Sequence, residues 1–412
     1  MHLFVLCSVF YHKKSKSMVW TKNSNGHHEL IAEIRALKAH NKQLQNIILK
    51  GTATKPANQP KCQKPFDFQN CKFRHVLLKF LYLGWDYQGY VTQEDTVNTI
   101  EHHVFNALIK TCLIENRSSA NYHRCGRTDK GVSSFSQVIS LDLRSNGDDF
   151  ESEINYCKIL NRVLPENIQF VAWCPVESAF SARFDCKNRT YKYFFPKSNL
   201  DIDAMKIAAN YLVGTHDFRN FCKMDVNNGV VEFKRNILSV DISLFQEDER
   251  YSIQVLTIKG NAFLWHQIRC IVGILILVGQ GKEKPEVVLD LLDITRNPRK
   301  PDYHMASEIP LNLYDCHYDN VNWIYDKEAL NIVKAKLYKF WMFSSIKTAM
   351  MKSMLVDLEK EASELDHDSI DFLIQGVKRK NYVPVMKRQL CESLEDKIQH
   401  SLKRRKRKAN PS

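Results

Sequence analysis

The sequence predicts an α+β protein in which helices pack on mainly antiparallel sheets. Three observations predict it. Strand-length apolar runs alternate with segments of helical period, the order strand, turn, helix, loop, strand occurs twice, and no repeat is short enough for a solenoid. The 412 residues are 44% hydrophobic and 25% charged, with 14 Gly and 12 Pro, which excludes a collagen-like or wholly disordered chain. A chain this long buries a large core without crosslinks. Its 12 cysteines include no CxxC pair, so they read as reduced thiols rather than a secreted scaffold, and a structural zinc site is not expected. The 59 Lys and Arg against 46 Asp and Glu give a formal charge of +13, which favours a polyanionic partner.

Residues 1–71 read as an N-terminal arm and linker. The apolar start (Leu3, Phe4, Val5, Leu6) lacks a preceding basic segment and a cleavage site, so export is not expected, and Met18 is an equally good start. Leu30, Ile34, Leu37, Asn41, Leu44 and Ile48 follow heptad spacing, as in a short coiled coil or an amphipathic helix. GTATKPANQPKCQKP is then a flexible linker.

A first unit, 72–185, opens with a strand at Phe73 to Leu83 and the turn GWDYQGY. Ile100, Val104 and Leu108 mark a helix over 99–113. Val138, Ile139, Leu141 and Leu143 mark a strand leaving a glycine-flanked loop, followed by a helix near Ile154 and a strand at Ile168 to Trp173. A second unit, 186–318, gives the strand TYKYFF, a helix at Met205 to Leu212, strands at 237–245 and 251–258, and an apolar helix starting near Phe263. The run Ile271 to Val278 is too short for a bilayer crossing, which needs about 20 apolar residues. Residues 319–400 read as a mostly helical extension, and 401–412 as a basic tail holding Lys403 to Lys408.

Chemistry concentrates in three segments. In GRTDKG, two glycines bracket a turn that exposes Arg127, Asp129 and Lys130; with Arg124 these cations are expected to keep Asp129 ionised and its pKa low. The plain alternative is an Asx turn. In ARFDCKNRTYKYFF, Arg183, Lys187, Arg189 and Lys192 interleave with aromatic residues, as an RNA-contacting surface or a half-buried strand would. In NAFLWHQIRCIVG, Arg269 lies among apolar residues and requires a carboxylate partner, for which Asp129 is one candidate. Trp265 and His266 carry little functional weight in this reading, and His216 with Asp217 is read as a capping or packing pair. No P-loop, GxGxxG, HExxH or GxSxG sequence occurs, so no nucleotide cofactor or metal is expected.

GRTDKGV, FSARFDCKNRTYKY and NAFLWHQIRCIVG, in this order, resemble the pseudouridine synthase family whose bacterial member modifies the tRNA anticodon arm. GWDYQGY, ILNRVLP and YLVGTHDFRNFCKMD bring the likeness closest to eukaryotic members that act at positions 38 and 39, over roughly residues 72–318. The resemblance implies two α/β subdomains joined around a central basic cleft with helices on the outer faces, and a homodimer bound to tRNA, without membrane association. It places the family's essential aspartate at Asp129, its uracil-stacking tyrosine at Tyr191, the aspartate's arginine partner at Arg269, the arginine holding the flipped nucleotide at Arg127, and a pocket-lining apolar residue at Leu264. It implies an isomerisation of uridine to pseudouridine, which needs no redox cofactor, with Tyr191 also assisting loss of the C5 proton. The remaining cations, Arg124, Lys130, Arg183, Lys187, Arg189 and Lys192, are candidate RNA contacts. A non-catalytic tRNA-binding protein is the competing reading; a glycosidase would need two functional carboxylates. The basic tail suggests a distribution between nucleus and cytoplasm.

Overall fold

The computed structural model describes residues 66–147, 152–225, 229–248, 252–361, 371–375 and 381–409. The heptad segment and the linker lie outside the described residues. Among the described residues nine strands form one sheet: β1 (Lys72–Tyr82), β2 (His123–Arg124), β3 (Ser133–Ser145), β4 (Ile168–Pro175), β5 (Asn188–Pro196), β6 (Gly214–Asp217), β7 (Lys234–Gln246), β8 (Ile253–Gly260) and β9 (Leu311–His317). The order across it is β4-β1-β3-β9-β5-β8-β7-β6, with β2 also on β3. Every pairing is antiparallel except β3 with β9, where Ser133 and Ser134 lie parallel to Asn312 and Leu313. The predicted α+β class is thus observed. The two runs of strands, however, are not separate sheets: β9 returns late in the chain and lies between them.

Alternation builds a core in each half. In β1, Val76, Leu78, Phe80 and Tyr82 face helices α1 (Ile100–Lys110) and α2 (Tyr156–Asn161), meeting Val104 and Leu108 of α1 and Leu160 of α2. In β5, Tyr191, Tyr193 and Phe195 enter a second core with α3 (Ile202–Asn210), α4 (Gln267–Gly279) and α5 (Val287–Leu292). Burying one Ile or Leu contributes about 1.5–3 kcal/mol, and α4 exposes only Leu277 to any degree. No helix among the described residues is long and apolar enough to cross a membrane. Caps fix the helix starts. Thr99, Asn155 and Asp201 accept from the backbone N–H groups of His102, Lys158 and Ala204.

Two boundaries differ from expectation. Helix α4 begins at Gln267 rather than near Phe263, because His266 is in the left-handed region (φ 62°) and turns the chain there. The extension is helical in α6 (Lys327–Glu361) and α7 (Leu394–Ala409), but of the described residues between them, 373–375 and 389–391 bond to the backbone of residues 300–307. Ile374 bridges to Ala306 and Leu390 to Pro301, with Leu373 and Val385 buried. Backbone pairing with the body thus replaces the helical bonds expected there. His216 and Asp217 match the capping and packing reading: His216 meets Phe218 edge to face, while Asp217 accepts from the backbone and guanidinium of Arg219.

Candidate active site

The loop carrying Asp129 is clamped by the turn that follows β1. Tyr90 N–H donates to Thr128 O (3.1 Å) and Gly131 N–H to Tyr87 O (3.2 Å). The Tyr82 and Thr128 hydroxyls share a 2.7 Å hydrogen bond, and Gln137 Nε2 donates to Gly126 O. This explains a glycine in GWDYQGY: a Cβ at Gly84 would lie 1.9 Å from Val132 O, so the turn and loop could not approach with any other residue.

Asp129 and Arg269 come together, as the family resemblance implies. Arg269 Nη1 lies 3.7 Å from Asp129 Oδ2, with the arginine side chain 5% and the aspartate 23% exposed. Arg269 is held elsewhere too: its Nε donates to Ala306 O (2.8 Å) and its Nη2 to Glu308 Oε2 (2.9 Å) and Gln375 Oε1 (2.6 Å). The Gln375 amide in turn donates to Glu308. The partner inferred for this buried guanidinium is therefore two carboxylates, of which Glu308 is the closer.

The other oxygen of Asp129 has a different neighbour. Trp265 Nε1 donates to Asp129 Oδ1 at 3.1 Å, and His266 Nε2 stands 3.4 Å from Oδ2. Burial, with the nearby charges of Arg269, Lys223 and Lys300, pushes the His266 imidazole down to about 3, so it is neutral at working pH. Asp129 itself is shifted upward by burial, against the lowering effects of Arg269 and of the Trp265 and Arg269 hydrogen bonds. This corrects the expectation of a low pKa set by Arg124, Arg127 and Lys130. Arg124 is bound instead to Glu101 at 2.8 Å, and Arg127 and Lys130 are exposed. Glu101 is fully buried; burial would raise its pKa, but Thr92 N–H, Arg124 and Arg117 outweigh that and lower it. It ties the helix α1 start to β2, the strand that leads into the loop.

The remaining predicted residues divide into core, rim and scaffold. Tyr191 is buried, its ring edge to face with Phe263 at 5.3 Å, and Leu264 is buried beside it in the same core. Burial also raises the Tyr191 phenol, which stays protonated at neutral pH. Arg127 lies among Arg124 and Arg183; partial burial and these like charges lower its pKa. Arg183 is exposed, its guanidinium 5.2 Å from the ring of Phe184, which is 74% exposed. Lys187 is exposed and 3.7 Å from Asp319. Besides Arg124 and Lys187, two more candidate RNA contacts have intramolecular partners. Arg189 donates to the carbonyls of Asn261, Cys125 and Arg183, and Lys192 sits 3.6 Å over the Tyr314 ring, on the strand face opposite Tyr191.

Sequence reasoning missed Trp265, His266, Glu308 and Gln375. For the first two a signal existed, since they sit four and three residues before Arg269 in one motif. Glu308 was implied only as an unnamed acid, and nothing in the sequence pointed to Gln375. Gln375→Ala is expected to lower unfolding stability by about 1–3 kcal/mol by leaving buried Arg269 and Glu308 groups short of a partner. Urea melts of the full chain check this, and an unchanged midpoint would show that the contact is dispensable.

A mixed sheet whose β2–β3 loop carries a part-buried carboxylate, Asp129, held by Arg269 and Trp265, is the frame in which the comparisons with known proteins stand. The model of the tRNA pseudouridine synthase family matches residues 208–319. The chain is 45% identical over 416 residues to the tRNA pseudouridine(38/39) synthase of Bos taurus, covering 91% of this chain and 86% of that one. The same values hold over 421 residues for the Homo sapiens protein of that name, and the Saccharomyces cerevisiae one is 44% identical over 277 residues, 64% of this chain and 62% of that one. The chain belongs to the tRNA pseudouridine synthase family, and it is an isomerase.

Proposed function

We propose that the protein converts uridine to pseudouridine at position 38, 39 or both of the tRNA anticodon arm, with Asp129 as the group that acts on the ribose. The observation that carries this reading is the Asp129 carboxylate held between Arg269 and Trp265, in a chain whose relatives bear that activity in their names. The reaction breaks N1–C1′, turns the uracil and forms C5–C1′, with the C5 proton lost and N1 reprotonated. The base must first leave the RNA stack. Asp129 attacks C1′ or removes the C2′ proton; both routes need it ionised, and Arg269 favours that form. In this reading Tyr191 stacks on the uracil and assists loss of the C5 proton. Leu264 lines the same pocket in this reading.

Two α/β subdomains, 72–185 and 186–318, flank a basic cleft, a division supported by the two hydrophobic cores. Arg127, Lys130, Arg183 and Lys187 are exposed cations suited to phosphate contact, and Phe184 adds a stacking surface. A homodimer is supported by α6, whose Trp341, Phe343, Ile346, Met350 and Leu358 are exposed in one copy. The cations Lys403 to Lys408 support a nuclear and cytoplasmic distribution. The test is pseudouridine mapping of tRNA from cells with and without the protein, repeated with purified enzyme and unmodified tRNA. Product at position 38, 39 or both that depends on the protein is expected. Its absence in both assays would refute the reading.

A further inference from the structure

Trp265, given little weight by its sequence context, is held by contacts on several sides. On its amino side, Leu264 N–H donates to Gln267 Oε1 (2.8 Å), and on its carboxyl side His266 adopts the left-handed conformation. Its own carbonyl accepts from Lys223 N–H at 3.0 Å. The indole lies against the His266 ring, with centroids 4.6 Å apart, and the Lys223 ammonium sits 4.7 Å from its ring centre. Although the residue is 36% exposed, its N–H is directed inward onto Asp129 Oδ1. A lid would have one free face; this ring has contacts on the backbone, the ring and the N–H.

We propose that Trp265 is a positioning residue for the reaction: its indole N–H fixes the plane of the Asp129 carboxylate before uridine arrives, and Lys223 over the ring holds the indole and strengthens it as a donor. The physical basis is twofold. A carboxylate free to rotate about its Cβ–Cγ bond presents its oxygens in many directions, and small misplacements of a reacting group are costly. Here Oδ2 faces Arg269 at 3.7 Å and His266 at 3.4 Å, both longer than a good hydrogen bond, so the 3.1 Å bond from the indole to Oδ1 is the tightest of the three holds on the carboxylate plane. A cation near an aromatic face is attracted to the π electrons and draws density from the ring, making the N–H a stronger donor. Lys223 belongs to NFCKMD, so the relay also gives that segment a role in the chemistry. The inference rests on Asp129 being the reacting group.

The experiment uses full-length protein and an anticodon-arm tRNA substrate under single-turnover conditions, with Trp265→Phe, Trp265→Ala and Lys223→Met. Trp265→Phe keeps a ring and loses the donor. It is expected to lose roughly ten- to hundredfold in the chemical step with little change in RNA affinity. The acid limb of its pH–rate profile should move to higher pH, because Asp129 then faces only Arg269, neutral His266 and the like-charged Glu308. Lys223→Met should shift both readouts the same way, but less. A Trp265→Phe variant with wild-type rate and profile, or a faster one, would overturn the proposal: the indole would be filler in the first case and a lid in the second. A readout independent of turnover is the indole ¹⁵N–¹H resonance, assigned by its loss in Trp265→Phe. It should move when Asp129 is replaced by Asn and should titrate with that carboxylate. A resonance that does neither sinks the inference even if the enzyme is active, whereas a resonance that responds in an enzyme making no pseudouridine sinks the functional reading alone.

Discussion

Asp129→Asn is expected to reduce pseudouridine formation roughly 10⁴-fold or more, as removal of a reacting group does, while melting at the same temperature as the wild type or slightly higher. The two halves of that result have one cause. Burial raises the Asp129 pKa in the folded protein above its unfolded value, so the folded state holds the proton more tightly. The resulting stabilisation is complete below the unfolded carboxylate's pKa, about 3.9, and is lost as pH rises through the folded value. At neutral pH the wild type has lost it. Asparagine, always neutral, escapes that cost and cannot act on the ribose. Activity runs the other way: it requires the carboxylate and should fall, as pH drops, at a higher pH than an ordinary aspartate would give. Rate measurement alongside calorimetry checks both, and an Asn variant that still makes product removes Asp129 from the mechanism.

Arg269→Met is expected to cost about 3–5 kcal/mol of stability, the range for breaking a buried ion pair from one side, and to abolish most activity in what remains folded. Methionine fills similar space but leaves Asp129 and Glu308 facing each other without a cation. The Asp129 pKa should then rise further, moving the acid limb upward. Arg269→Lys separates charge from geometry. Its ammonium can meet one carboxylate but cannot serve the Ala306 carbonyl, Glu308, Gln375 and Asp129 together, so an intermediate loss is expected. Urea unfolding of both variants, with pH–rate profiles, tests the ranking; a Met variant as stable as wild type would show that the network is not holding the site.

The sequence carried the strands, helices and reacting residues because they obey local rules. Val76 to Tyr82 is an apolar run of strand length, Tyr191 to Phe195 alternates, Thr99 and Asp201 cap, and RTDK stands between glycines. It could not carry the electrostatics. Arg124 and Asp129 are five residues apart and read as neighbours, yet Arg124 turns to Glu101, while the cation at Asp129 comes from 140 positions away. The same limit hid Gln375, whose role exists only because the extension folds back along residues 304–308. The left-handed turn at His266 was hard to read, since histidine visits positive φ more often than most residues but still only rarely; with that turn at the helix start, Trp265 and Arg269 both reach one carboxylate.

The position of β9 sets a timetable for biosynthesis. Strands β3 and β5 pair on either side of a segment that ends at His317, so a ribosome must have released about three quarters of the chain before the middle of the sheet can close. Until then each half presents an unpaired strand edge to the cell, the state in which nascent chains most readily aggregate or recruit chaperones.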